Sequence, residues 1–301
     1  MDGNDVVAII ERKALIANAS PRSKIVLVPL NQRSDDHQPV FYCVHDLSCS
    51  ANSYMPLARV LASSLHVVGI QAPQSLMKRC ELSGAKHPAT VGELASHYVS
   101  EVINYQPSGS IILGGWSVGA VIAMEMAEQL AAKGREIRLL VAIDGAPENT
   151  LTSINKNTPR YYVKLISNLV RCVIHRDMRA LATSLYYKTR ILRKTVQRQH
   201  PAAKTFASYE QYMPHMQAFV RRLYEIVDAY SPVGKYLGPV IVFEADEQPL
   251  FHLRQVGEIW RVLAPAAEII RIRRSDHRGL INVPRVSELA EHLLRKLAIL
   301  G

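Results

Sequence analysis

The chain has 301 residues, 48% of them hydrophobic, which is typical of a globular protein with ample material for a core. No apolar run approaches the roughly 18 residues that cross a bilayer, and "MDGNDVVAII" has acids where a signal peptide has basic residues, so we predict a cytoplasmic protein without membrane contact. The net charge of +10 is confined to residues 151–204, which hold 12 Lys and Arg against one acid, and no recognised nucleic-acid module accompanies it.

Strand and helix patterns alternate along most of the chain. The helical patterns have apolar residues at spacings of three and four, and the strand patterns are short runs rich in β-branched residues. This alternation predicts an α/β fold with a mostly parallel sheet flanked by helices. The predicted strands are residues 24–29, 40–45, 66–70, 110–114, 138–143, 239–244 and 267–272, and the predicted helices are residues 53–63, 91–105, 117–133, 251–263 and 285–299.

Two regions interrupt the alternation. Residues 1–23 precede the first predicted strand and are predicted to be an N-terminal extension, formed by a short helix and a linker. Residues 150–235, by contrast, contain several helical stretches and no strand signal. An insertion of this size between two strands of one sheet is usually a lid over the ligand end. We therefore predict one domain over residues 24–301 with a helical lid insertion at about 150–235.

A Gly-x-Ser-x-Gly motif lies between a predicted strand, "SIILGG", and a predicted helix, "SVGAVIAMEMAEQL". A strand, a tight turn and a helix in this order present a serine hydroxyl above the carboxyl edge of a sheet. Small residues at Gly115 and Gly119 let the two backbones pass close together. Ser117 is therefore a candidate nucleophile, and the alternative is a serine that only caps the helix.

A serine nucleophile needs a histidine base and an acid that orients the base. Asp144 follows the next predicted strand, in "RLLVAIDGAP", and His277 follows the last one, in "IIRIRRSDHRGL". The order serine, acid, histidine is the one expected for this architecture. Asp246 in "IVFEADEQP" also follows a strand and competes with Asp144 for the role of the acid. The four cysteines lack metal-ligand spacing, so we expect reduced thiols and no metal site.

Several segments resemble one known family. "FYCVHDLSCSANSYMPLARVLASSLHVVGIQAP" and "GSIILGGWSVGAVIAMEMAEQLAAKGREIRLLVAIDGAP" are similar to the thioesterase domain that ends many nonribosomal peptide and polyketide synthetases. The likeness is close over residues 25–150, weak through the lid, and resumes at "LYEIVDAYSPVGKYLGPVIVFEADE" and "SDHRGL". The resemblance implies an α/β-hydrolase fold. Because the family's acid commonly follows the strand after the nucleophile helix, it also favours Asp144 over Asp246.

Carried to this sequence, the resemblance makes Ser117 the nucleophile that accepts an acyl or peptidyl chain from a phosphopantetheine thioester. His277 would take the serine proton and later activate water, an amine or a hydroxyl, and Asp144 would orient the histidine. Trp116 matches the family's Gly-Trp-Ser-x-Gly and is expected to contact the substrate.

The same resemblance implies that the backbone N–H groups of Leu47 and Val118 form an oxyanion hole. Here the sequence departs from the family, whose loop usually reads His-Pro-x-Gly-Gly. Residues 45–49 read His-Asp-Leu-Ser-Cys, and the loss of both glycines restricts the backbone conformations of the loop. Cys49 itself is expected to be a packed thiol rather than a second nucleophile.

The resemblance also implies a partner, an acyl or peptidyl carrier protein, and no cofactor beyond the phosphopantetheine on that carrier. The N-terminal extension would then be the linker from an upstream carrier domain. The basic segment of the lid is either a solvated helix surface or a docking site for the acidic carrier. Alternative functions are a free-standing editing thioesterase, a carboxylesterase, or a hydrolase-fold binding protein without catalysis.

Overall fold

A computed structural model describes residues 26–35, 37–147, 214–247 and 256–301. The predicted N-terminal extension, the basic segment and the greater part of the predicted lid lie outside these residues, as do residues 251–255 of one predicted helix. The described residues form seven strands, all of which the sequence predicted to within three residues at each end. They are β1 (Val26–Pro29), β2 (Val40–Val44), β3 (His66–Gln71), β4 (Ile111–Trp116), β5 (Ile137–Ile143), β6 (Val240–Ala245) and β7 (Glu268–Ile272).

The seven strands form one sheet in the order β1-β3-β2-β4-β5-β6-β7. β1 is antiparallel to β3, and every other neighbouring pair is parallel, which confirms the predicted mostly parallel sheet. The chain adds β3 on one side of β2 and β4 on the other, so the direction of winding reverses between β2 and β4. Ligands of open α/β sheets bind at the carboxyl edge beside such a reversal.

Seven α-helices lie among the described residues. Those over residues 91–105, 118–132 and 285–299 match the prediction to within one residue. The helix over residues 74–82 was not predicted, because it has only three buried apolar side chains and therefore a weak periodic pattern. The helices are α1 (Met55–Leu61), α2 (Gln74–Leu82), α3 (Val91–Tyr105), α4 (Val118–Ala132), α5 (Pro214–Asp228), α6 (Val256–Leu263) and α7 (Arg285–Ile299).

The core has two apolar layers, one on each face of the sheet. One layer contains the buried side chains of α2 to α6, and the other contains those of α1 and α7. β2 shows the alternation that separates them, since Tyr42 points into the first layer while Phe41 and Cys43 point into the second. α4 is buried around nearly its whole circumference, which fixes the element that begins directly after Ser117.

None of the described helices has both the length and the apolar character needed to cross a membrane.

Candidate active site

Ser117 occupies a sharp turn between the end of β4 and the start of α4. Its backbone has φ 59° and ψ −124°, a conformation that residues with a side chain rarely adopt and that costs about 1–3 kcal/mol. The backbone N–H donates to the Ile143 carbonyl oxygen over 2.9 Å, which ties the turn to β5. The hydroxyl makes no capping hydrogen bond to α4, so the alternative interpretation of a helix-capping serine does not describe this geometry.

Three glycines permit the sharp turn. A Cβ atom on Gly115 would lie 2.1 Å from the Gly119 carbonyl carbon, and one on Gly119 would lie 2.5 Å from the Val44 carbonyl oxygen. A Cβ atom on Gly145 would lie 1.9 Å from the Ser117 carbonyl oxygen. Contacts this short with backbone atoms leave no room for any side chain. The sequence motif pointed to the first two glycines; Gly145 was missed, although it directly follows a candidate site residue at a strand end.

Asp144 and His277, 133 residues apart in sequence, meet at the carboxyl edge of the sheet. The His277 Nδ1 atom lies 2.7 Å from Asp144 Oδ2, and the second carboxylate oxygen accepts a hydrogen bond of 3.0 Å from the Ala245 N–H. The Asp144 side chain is 2% exposed and that of His277 is 27% exposed. A carboxylate that accepts from Nδ1–H leaves Nε2 of a neutral imidazole as a proton acceptor.

The competing acid, Asp246, lies one strand further along, just beyond β6. Its N–H donates to the Ile272 carbonyl oxygen over 3.2 Å, and the residue is partly exposed. His277 Nδ1–H donates its hydrogen bond to Asp144, which therefore has the geometry expected of an orienting acid.

Trp116, predicted to contact the substrate, packs against His277. The two ring centroids are 4.8 Å apart with an angle of 31° between the ring planes, and the indole N–H donates to the His277 carbonyl oxygen over 3.0 Å. The backbone N–H of Trp116 donates to the Tyr54 hydroxyl over 2.6 Å. That hydroxyl donates in turn to the Val44 carbonyl oxygen, also over 2.6 Å. No sequence pattern pointed to Tyr54, a buried aromatic residue directly before α1.

The loop at residues 45–49 faces the serine turn from the end of β2, because Gly119 touches the Val44 and His45 carbonyl oxygens. The Asp46 carboxylate accepts one hydrogen bond from the Ser48 N–H and another from the Ser53 hydroxyl, both over 2.6 Å. The Asp46 carbonyl oxygen accepts from the Cys49 N–H over 3.0 Å. Cys49 has φ 61°, so the loop enters the left-handed region without a glycine.

His45, the first residue of this loop, is fully buried and holds it through two side-chain contacts. Its Nδ1 lies 2.7 Å from the Asp46 carbonyl oxygen and its Nε2 lies 2.6 Å from the Tyr98 hydroxyl. Burial lowers the pKa of His45 below the ordinary histidine value. A neutral ring that donates through Nδ1 and accepts through Nε2 satisfies both contacts. His45 is therefore a fixed support for the loop rather than a base.

Cys49 is also buried, and burial raises the pKa of its thiol. A thiol of raised pKa is a poor nucleophile, which agrees with its interpretation as a packed side chain. Within the described ranges, no group of three or more His, Cys, Asp or Glu side chains is placed to hold a metal ion.

Curated relatives with similar sequences are large synthases. The chain is 32% identical over 126 residues to a dimodular nonribosomal peptide synthase of Bacillus subtilis, which is 42% of this chain and 5% of the relative. It is 34% identical over 120 residues to the non-reducing polyketide synthase ustP of Ustilaginoidea virens, which is 40% of this chain and 5% of the relative. The matched parts thus span about one twentieth of the length of these relatives.

Solved structures show the same fold. The thioesterase domain NocB, in a covalent complex with a fluorophosphonate nocardicin G analogue, superposes with a TM-score of 0.55 at 22% identity. The match covers 86% of this chain and 94% of that domain, and the predicted α/β-hydrolase fold is confirmed. The sequence model of the thioesterase domain matches residues 39–297. The chain therefore belongs to the thioesterase domain family, as its resemblance to the release domains of nonribosomal peptide and polyketide synthetases predicted.

Proposed function

We propose that this thioesterase domain releases an acyl or peptidyl chain from a phosphopantetheine thioester on a carrier protein, through an acyl-enzyme on Ser117. One observation carries the proposal. A strained serine at the start of a buried helix shares the carboxyl edge of the sheet with the hydrogen-bonded pair Asp144 and His277. Nucleophile, base and orienting acid are the three parts that acyl transfer to a serine requires.

The first half of the reaction forms the acyl-enzyme. His277 Nε2 takes the proton of the Ser117 hydroxyl while the oxygen attacks the thioester carbonyl carbon. The C–S bond then breaks, and the imidazolium gives its proton to the leaving sulfur, so that phosphopantetheine departs as a thiol and His277 is neutral again. Asp144 stabilises that imidazolium through its hydrogen bond to Nδ1.

The second half releases the product. His277 takes a proton from water, or from an amine or hydroxyl of the bound chain, as that group attacks the ester carbonyl. Collapse of the tetrahedral intermediate breaks the bond to Ser117, which regains its proton from His277. Attack by water gives a free acid, and attack by an internal nucleophile gives a ring.

Two backbone N–H groups are suited to the oxyanion that forms in both halves. Val118 is the first residue of α4, so its N–H has no acceptor within the helix and lies at the positive end of the helix dipole. Among the described residues, the Leu47 N–H has no hydrogen-bond acceptor either. Donors that are free before substrate arrives can stabilise the developing charge without reorganisation.

The substrate class rests on the family and on the relatives. The curated relatives are a nonribosomal peptide synthase and polyketide synthases, and a carrier protein is the proposed partner. Docking of that carrier on the basic segment stays a prediction, because residues 151–204 lie outside the described structure. No cofactor is proposed beyond the phosphopantetheine of the carrier.

The test combines covalent labelling with product analysis. A fluorophosphonate, the reagent class bound covalently in the NocB domain, should modify Ser117 in the wild type and leave S117A unmodified. D144N should lower turnover of an acyl or peptidyl thioester by about 10³- to 10⁴-fold, whereas the matched variant D246N should stay within about twofold of wild type. Mass analysis of the products separates hydrolysis from cyclisation.

Three outcomes would overturn parts of this proposal. A folded wild-type protein that resists labelling would favour the non-catalytic binding protein. A loss confined to D246N would move the role of the acid to Asp246. Turnover of simple carboxylate esters in preference to thioesters would favour the carboxylesterase.

A further inference from the structure

We propose that Trp116 is a positioning residue that holds His277 in its working orientation, rather than a wall of the substrate pocket. This inference rests on the proposed role of His277 as the base. Trp116 makes two independent contacts with His277, one to the main chain and one to the imidazole ring. With only 9% of its surface exposed, the residue offers little area to a substrate.

The main-chain contact anchors the histidine loop, residues 273–278, to the centre of the sheet. An indole N–H is a donor only, and a buried donor without an acceptor costs about 1–3 kcal/mol. Trp116 satisfies this donor on the His277 carbonyl oxygen, 161 residues away in sequence. β4, which carries Trp116, is hydrogen-bonded to a strand on each side, so the indole projects from a rigid support.

The ring contact acts on the imidazole itself. Asp144 holds the ring at its Nδ1 edge, and a single hydrogen bond at one edge does not by itself fix the plane of a ring. The indole covers one face of the ring at a centroid separation of 4.8 Å, and this contact restricts the remaining rotation. An aromatic face also attracts a cation, so the contact strengthens when the imidazole takes the Ser117 proton.

Trp116 also connects His277 to the opposite side of the site. Its backbone N–H donates to the fully buried Tyr54 hydroxyl, which donates to the Val44 carbonyl oxygen directly before the 45–49 loop. One residue thus joins the serine turn, the histidine loop and the strand that leads to the proposed oxyanion donor Leu47. A displacement of the indole would disturb the base before it disturbed any substrate contact.

The kinetic test uses two substitutions at Trp116 and one matched control. W116F keeps an aromatic face but loses the N–H donor, and W116L loses both. We expect kcat for a thioester substrate to fall about tenfold in W116F and about 100-fold in W116L, with KM within about twofold of wild type. F41L is the control, because Phe41 is a buried aromatic in the same apolar layer. It should lose similar stability and retain kcat.

A spectroscopic test reports on the ring contact without turnover. The chain has two tryptophans, Trp116 and Trp260, and a protonated imidazole quenches an indole in contact with it. Wild-type fluorescence should therefore change when the buffer is acidified. This change should be absent from H277Q and from W116F, both of which keep Trp260.

The outcomes separate this inference from the proposed function. If the wild type neither labels with fluorophosphonate nor turns over thioesters, the proposed function fails, while the fluorescence titration still tests the ring contact. If the wild type is active and W116L raises KM while keeping kcat, Trp116 is a substrate-pocket residue and the inference is wrong. A fluorescence change that persists in H277Q would also overturn it.

Discussion

The serine turn at residues 115–119 and the loop at residues 45–49 end neighbouring parallel strands, yet they reach their unusual backbone shapes by opposite means. The serine turn requires glycine at two positions, since a Cβ atom on Gly115 or Gly119 would collide with the backbone. The 45–49 loop contains no glycine and is shaped by hydrogen bonds to Asp46. A turn that requires glycine should not tolerate any added side chain, whereas a loop shaped by hydrogen bonds should lose stability stepwise as those bonds are removed.

The two regions also contact each other, and this contact determines which substitutions should disturb one region and which should disturb both. Gly119 lies against the Val44 and His45 carbonyl oxygens, so the 45–49 loop rests directly on the first turn of α4. We expect this contact to set the distance between the two proposed oxyanion donors, Leu47 and Val118. Steric change at Gly119 should therefore affect both donors, while change at Asp46 should affect one.

The largest effect is expected for G119A. Its Cβ atom would lie 2.5 Å from one backbone carbonyl oxygen and 2.8 Å from another, and neither can rotate away. We expect a loss of about 2–4 kcal/mol in the free energy of unfolding and at least a 10³-fold fall in thioester turnover. Denaturant unfolding and steady-state kinetics measure the two quantities.

G92A is the matched control for this substitution. Gly92 lies in α3, and its nearest neighbours would be the flexible ends of side chains, beginning with Glu125 Oε1 at 3.3 Å. Replacing a helical glycine with alanine should leave turnover unchanged and stabilise the fold by up to about 1 kcal/mol. Equal losses in G92A and G119A would contradict the steric argument.

An intermediate effect is expected for D46A. It removes the acceptor of both the Ser48 N–H and the Ser53 hydroxyl, so the loop loses its shape around Leu47. Turnover should fall by about 10- to 100-fold, less than the loss of a whole oxyanion donor, and stability by about 1–3 kcal/mol. S53A removes one of the two bonds and should lie between D46A and wild type. If D46A retained full kcat, the loop would not depend on its carboxylate.

This contrast also explains what the sequence could predict. The strands were predictable because β-branched runs mark buried strands, and Ser117, Asp144 and His277 could be placed at one edge because parallel strands end together. The packing of Trp116 on His277 could not be predicted, because the two residues are 161 positions apart and no local sequence pattern relates them. The turn at Asp46 could not be predicted either. An aspartate where the family usually has proline shows that the loop differs from the family, but not which hydrogen bonds shape it.

The helix over residues 74–82 and the lid show two other limits. The helix buries only three apolar side chains, so its apolar periodicity is too weak to detect from the sequence alone. A helical lid over about 150–235 was predicted from the length and composition of the insertion, and within that range α5 is a helix. That the range acts as a lid stays a prediction. The role of the basic segment stays a prediction, because the charges along a sequence do not show which surface they form.

The smallest effect is expected for C49G, which restores a glycine that the family has at this position. Glycine relieves the left-handed backbone at φ 61°, a gain of about 1 kcal/mol, but removes a buried side chain and adds freedom to the unfolded chain, which together offset it. Stability should change by less than about 1 kcal/mol and turnover by less than about threefold. C49V, which is β-branched, should lose about 2 kcal/mol because its side chain disfavours a positive φ. A large gain of activity in C49G would mean that the Asp46 hydrogen bonds hold the loop away from its best shape, and the two regions would then share one requirement for glycine.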